Sequence, residues 1–355
     1  MLLLINRTSD YQAAADEVRL LTGNYYANNS FERLQTDWIL AQEEVVKIVG
    51  AEVMNRALAY YHSDAYIPFT SGSSASGSGS EDTIDGELVH YLQVPIAFLA
   101  THNYYQSNMV SHEDTGRKVK INDQNEKMPW EWMIDRDDLA QLRKIHGTID
   151  RLLVWLEDKS ITQWIDSAQR IATRQLFVNT TAIFQATYPI DQSPRFFYTV
   201  LAFNLEVQTR IIKKAIGSEL YQALLTYWTN FQTIDEGSSS LSSGLPGSES
   251  SEYYDELIAL IQKVIPLFTM TIAARRLSLS VLPYGVVQQF QSQFQSRKSS
   301  QVPQSKAIDE YCAPLLSEVE YALDDIKKLI QASDPEATEY QFLPTNSETN
   351  KYFRS

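Results

Sequence analysis

Leu3-Leu4-Ile5-Asn6-Arg7-Thr8 and Leu176-Phe177-Val178-Asn179-Thr180-Thr181 open two passages of this chain that then run in parallel. Gly50-Ala51-Glu52-Val53-Met54 returns as Gly217-Ser218-Glu219-Leu220-Tyr221, and Leu58-Ala59-Tyr60-Tyr61 as Leu225-Thr226-Tyr227-Trp228. Gln93-Val94-Pro95-Ile96 returns as Val264-Ile265-Pro266-Leu267. The separation stays near 170 positions and drifts by a few, as a divergent tandem duplication with unequal loops does. The repeats are expected at 1–170 and 171–332, followed by a polar tail over 333–355 that is extended or partly disordered.

The elements follow in the same order in each repeat. A short apolar strand, 2–5 or 176–179, precedes a polar cluster that caps a small helix, at about 9–17 in the first repeat. Phe31, Leu34, Trp38, Ile39, Ala41, Val45, Val46 and Val49 recur at helical spacing, and Phe196, Val200, Phe203, Val207, Ile211 and Ile212 answer them. Gly50 and Gly217 are expected to end these helices in the left-handed conformation and turn the chain into another helix. Ser/Gly-rich loops follow at Thr70–Ser80 and Gly237–Ser251. Long helices resume over 85–109 and 253–279, with Pro95 and Pro266 expected to kink or break them. Around Asp114-Thr115-Gly116 and Pro283-Tyr284-Gly285 the period changes to that of hairpins or a small sheet, which the opening strands could join. A closing helix bears the stripe Leu139, Leu142, Ile145, Ile149, Leu152, Leu153 and Leu156, answered by Asp309, Cys312, Leu315, Val319, Ala322, Leu323 and Ile326, of which all but Asp309 are apolar. The fold class is therefore mainly α with small β elements, a tandem duplication of a helical-bundle module carrying a short strand and a β-hairpin.

The formal net charge of −14 disfavours nonspecific nucleic-acid binding, which relies on cations neutralising phosphates. Cys312 is the sole cysteine, so an intramolecular disulfide and a thiolate zinc site are excluded. Its apolar helical position reads as buried core. The apolar start Met1–Ile5 gives way at once to polar residues, no targeting segment is expected, and no run reads as a membrane span. Among the five histidines none pairs at the spacing that puts two ligands on one helix face. His112-Glu113-Asp114 is the densest set of ligand types, but turn propensity explains it. Neighbouring carboxylates such as Glu43/Glu44, Asp137/Asp138 and Asp324/Asp325 diverge by about 100° on a helix and read as solvated faces. No nucleophile elbow, kinase set or dinucleotide fingerprint occurs. No catalytic residue, metal or cofactor is therefore assigned, and no enzyme is expected.

Candidate interface residues are Asp114, Gly116, Tyr284 and Gly285 in the two turns, and Arg275 and Arg276 late in a helix, where cations also suit the helix dipole. The tyrosine pairs Tyr25-Tyr26, Tyr60-Tyr61, Tyr104-Tyr105 and Tyr253-Tyr254 suit core packing, or interfaces where one ring is half-exposed.

At Val178-Asn179-Thr180-Thr181, Ile216-Gly217-Ser218-Glu219-Leu220-Tyr221 and the run ending Tyr284-Gly285, the chain resembles a family encoded among the structural genes of tailed phages and prophages of Bacteroides-type bacteria. The second repeat is the closer match. In outline each repeat is also similar to the helical head–tail connector proteins of tailed phages. The resemblance implies a virion structural protein at or near the portal, and a ring-like homo-oligomer with portal and tail components as partners. It implies residence in the virion, with the host cytoplasm during assembly. The alternative is a non-virion scaffolding or regulatory module that binds proteins. Neither reading implies a membrane or a specific nucleic acid.

Overall fold

A computed structural model of the chain describes residues 2–23, 25–26, 30–68, 81–108, 111–113, 116–118, 130–235, 248–277, 280–282, 285–290, 299–301 and 305–333. The fold is helical. The chain divides into two compact units, Met1–Ile171 and Ala172–Ser355.

In the first unit α1 spans Tyr11–Thr22, with Asp10 capping the Gln12 N–H. A 3-10 turn, Phe31–Arg33, leads into α2, Gln35–Val49, and then α3, Ala51–Tyr61. The long α4, Glu81–Ser107, packs against α1, α2, α3 and α5, Glu131–Asp158. A helix enclosed this way should be apolar on more than one face. Leu88, Val89, Leu92, Ile96, Ala97 and Ala100 of α4 are accordingly buried. Two short helices follow, α6 at Thr162–Ile165 and α7 at Ala168–Arg174.

The second unit opens with α8, Thr181–Thr187, capped by Thr180. Next comes α9, Pro194–Val207, which begins with proline in its first turn, where the missing N–H costs nothing. A π-helical turn, Gln208–Ile212, joins it to α10, Lys213–Ile216. Then come α11, Ser218–Asp235, α12, Ser248–Leu277, and α13, Ser305–Ser333. The central helix here is α12, packed against α8, α9, α11 and α13. Its segment Glu252–Arg276 is long and apolar enough to cross a membrane, with a mean hydropathy of 1.8 over an 18-residue window. Leu257, Ile258, Ile261, Val264 and Ile265 of that segment are buried in the core of the unit, which accounts for the composition.

Outside the helices, Ser111–Glu113 (β1) pairs antiparallel with Gly116–Lys118 (β2), and Ser280–Leu282 (β3) with Gly285–Phe290 (β4), which also pairs with Ser299–Gln301 (β5).

The structure departs from several expectations. Neither proline breaks its helix, since α4 and α12 each run continuously through Pro95 and Pro266. Pro266 leaves the Gln262 carbonyl without its helical donor, and the Thr187 hydroxyl of α8 donates to it at 3.3 Å. The helix α12 starts at Ser248, so the last residues assigned to the second Ser/Gly loop are helical; residues 69–80 and 236–247 lie outside the described set. Leu139, at the head of the closing-helix stripe, is 41% exposed. Gly50 (φ 91°, ψ 157°) and Gly217 (φ 85°, ψ 159°) have the positive φ that was expected, but an extended ψ in place of the left-handed one. That region is nearly restricted to glycine, and it turns the chain straight into α3 and α11.

The largest correction concerns the opening segments. Residues 2–5 and 176–179 are not strands. Side chains take the place of a neighbouring strand. Gln42 Oε1 accepts from the Leu4 N–H at 3.0 Å while its Nε2 donates to the Leu2 carbonyl at 3.1 Å. Gln208 holds the Phe177 N–H at 2.9 Å and the Gln175 carbonyl at 2.8 Å in the same way. One amide thus makes the pair of bonds that one residue of a parallel strand would make. Gln93 donates to the Leu4 carbonyl and Gln262 to the Phe177 carbonyl, each at 2.9 Å. His62 Nε2 caps Leu3, Trp228 Nε1 caps Leu176 and Asn204 Nδ2 caps Val178. Leu4, Ile5, Phe177 and Val178 are fully buried, so these backbone groups need protein partners in place of water.

Candidate functional site

The tyrosine pairs decide where a surface site forms. In the first unit the pairs 25/26 and 104/105 meet. Tyr25 and Tyr105 pack edge to face at 5.2 Å, and Tyr26 and Tyr104 at 5.7 Å. Tyr26 is fully buried and donates to the Ser30 carbonyl at 2.7 Å, while Tyr105 donates to the Tyr25 carbonyl at 3.0 Å. Tyr25 and Tyr105 remain half-buried. With the start of α5 they enclose a pocket of about 430 Å³, whose other walls include Met133, Ile134, Asp137 and Asp138. The two aspartates, expected as a solvated helix face, both line one cavity. Burial pushes the Tyr25 hydroxyl pKa up, and the field of Asp137 adds to this, with smaller contributions from Tyr105 and Asp138. Gln141, one turn on and buried, donates to Asp137 Oδ1 at 3.4 Å. Trp130 and Trp132, beside the pocket in sequence, are 71% and 58% exposed.

Elsewhere in the same unit, Glu17 of α1 is half-buried and accepts hydrogen bonds from Tyr61 Oη at 3.0 Å and Gln93 Nε2 at 2.7 Å, and from the Asn6 N–H. Burial raises its pKa above the ordinary carboxylate value, and the three donors offset part of that rise. Tyr66 packs edge-on against Tyr61 at 4.9 Å, with the Arg7 guanidinium over the Tyr66 ring at 5.5 Å. Among the described residues no three His, Cys, Asp or Glu side chains gather as metal ligands.

The chain matches no protein-family model, no curated protein and no solved structure.

In the second unit a groove of about 520 Å³ lies between α8, α12 and α13, lined by Ile183, Thr187, Lys263, Leu267 and Glu318 among others. The interface residues chosen from the sequence are distributed as follows. Arg276 is engaged within its own unit. It makes two bonds to the Glu206 carboxylate, at 2.6 and 3.2 Å, lies over the Phe203 ring, and shares Glu206 with Arg210. The Arg276 bond is the main cause that lowers the Glu206 pKa. Arg275 reaches Asp309 at 3.4 Å, joining the end of α12 to the start of α13. Gly116 faces Glu113 across its strand pair, and Gly285 faces Leu282. Asp114 and Tyr284 lie outside the described residues. The aromatic pocket was signalled by the tyrosine pairs, but its carboxylates carried no sequence signal that set them apart from other acidic helix faces.

Proposed function

We propose that the chain is a non-enzymatic assembly protein, a tandem duplication of one helical module that serves as a head–tail connector or adaptor at or near the portal of a tailed-phage particle. The observation that carries this reading is what the two units have in common. Each holds its opening segment with a corresponding pair of glutamines, Gln42 with Gln93 and Gln208 with Gln262. Each breaks at a glycine of nearly the same φ and ψ and threads a proline through its central helix. The polar groups that chemistry would need are not held in common. Counting from the paired openings, Glu17 falls at the place of Ile190, a buried apolar residue. A kept frame with unshared polar groups fits a building part better than a catalyst.

In this reading the small β elements belong to the repeated module. Gly116 and Gly285 each begin the returning strand at the same place, between the long central helix and the closing helix. These hairpins would meet neighbouring subunits, and the partners would be further copies of the chain together with portal and tail proteins. The chain would sit in the virion, having passed through the host cytoplasm during assembly. Mass spectrometry of purified particles, with native mass spectrometry of the chain mixed with the portal protein, tests this. The expected result is the chain in particles and a discrete chain–portal complex. A chain confined to the lysate that forms no such complex would support the scaffolding or regulatory alternative instead.

A further inference from the structure

We infer that the pocket between α4 and α5 is a docking site for an arginine side chain presented by a protein partner. The inference deepens the assembly reading and rests on it, and charge complementarity selects the occupant. Two half-buried tyrosine rings form one wall, fixed by their edge-to-face packing and by the Tyr105 hydroxyl bond to the Tyr25 carbonyl. Asp137 and Asp138 also line the pocket, and no cation is among the described residues that do so. A guanidinium is the side chain that answers both features, since its plane stacks on aromatic faces while its fork of N–H groups meets carboxylates. The volume, about 430 Å³, admits a side chain but no folded element. Asp137 and Asp138 lie beyond the first turn of α5, where the helix dipole no longer explains a preference for acid. Burial is the main cause of the raised Tyr25 pKa, and the Asp137 carboxylate adds to it from across the pocket. Exposed Trp130 and Trp132, just before Met133 and Ile134 of the lining in sequence, supply apolar surface that a partner backbone would cover. The groove of the second unit differs, because Lys263 and Glu318 give its lining both signs of charge.

The test titrates the full chain with the blocked tripeptide Ac-Gly-Arg-Gly-NH2, followed by TROSY spectra, beside the isosteric citrulline peptide, which lacks the charge. The expected result is saturable shifts confined to Tyr25, Tyr105 and the 133–138 stretch. Affinity should fall about tenfold or more in Asp137→Asn/Asp138→Asn, the loss that corresponds to one charge-assisted pair. Tyr105→Phe, which keeps the ring, should bind more tightly than Tyr105→Leu. Equal binding of the citrulline peptide overturns the inference, as do shifts scattered over the surface or an unchanged affinity in the double variant. So does a self-association through this face that the arginine peptide fails to compete. Asp137 is exposed and Asp138 half-buried, and asparagine keeps the shape of both side chains, so the fold should stay intact, which the same spectra verify. Failure here with the chain present in particles removes the arginine site alone. Binding here with the chain absent from particles removes the virion reading and leaves a protein-binding module.

Discussion

Gln93 Nε2 lies 2.7 Å from Glu17 Oε1 and 2.9 Å from the Leu4 carbonyl, so one amide ties the first helix, the opening segment and the central helix of its unit together. The carboxylate in that knot is half-buried, and desolvation raises its pKa. A raised carboxylate pKa means the folded unit binds this proton more tightly than the unfolded chain does. Stability from this group is therefore greatest below the ordinary value of 4.5 and is lost as pH rises through the folded pKa. Glu17→Gln removes the titration and keeps an acceptor for Gln93 and Tyr61. The stability of the variant relative to the parent chain should rise between pH 4.5 and 7 in urea titrations. A difference that stays constant with pH would remove the assignment.

Gln42 and Gln208 each hold one buried backbone N–H, of Leu4 or Phe177, and one carbonyl at the outer edge of the segment, of Leu2 or Gln175. Replacing either with alanine leaves the buried N–H without that partner, at a cost of about 1 to 3 kcal/mol, while water can replace the donor to the outer carbonyl. Hydrogen exchange separates the two cases. In Gln42→Ala the Leu4 amide should lose protection while that of Phe177 keeps it, and in Gln208→Ala the reverse should hold. Protection that persists at the clamped amide would mean that the clamp does not hold it.

Gly50 and Gly217 join consecutive helices with an extended ψ at positive φ. A Cβ on Gly50 would meet Ser167 Cβ at an ordinary 3.8 Å, so the obstacle to substitution is the backbone itself. Alanine at either position should cost about 1 to 3 kcal/mol. Thermal unfolding measures this, and an exposed glycine outside this conformation, Gly147, serves as the control, where alanine should stabilise its helix.

Cys312 is fully buried in α13, with its Sγ 3.8 Å from the Thr271 carbonyl of α12. A thiol reagent such as dithionitrobenzoate should react with it only as fast as the α12–α13 pair opens. Urea below the unfolding transition should leave the reaction slow. Prompt, complete labelling of the native chain would place the thiol at the surface.

Periodicity carried most of the helical fold. The Phe31–Val49 spacing yields the 3-10 turn and α2, and glycine marked both inter-helix seams, because these depend on residues near one another in the chain. The apolar runs 2–5 and 176–179 were misread as strands for the opposite reason. An extended buried segment needs partners for its backbone, and the sequence alone does not say whether a strand or distant glutamines supply them. Pro266 is similar, since what keeps α12 continuous includes a hydroxyl donated by Thr187 from another helix.

The site follows the same division. The sequence by itself determined that tyrosines come in pairs and that acids cluster on α5, because these are facts of composition along one line. Only the tertiary structure decided that Tyr25, Tyr105, Asp137 and Asp138 line one pocket. Packing α5 against α4 joins residues on opposite sides of the unit's sequence, and a cavity exists only where two such surfaces fail to close.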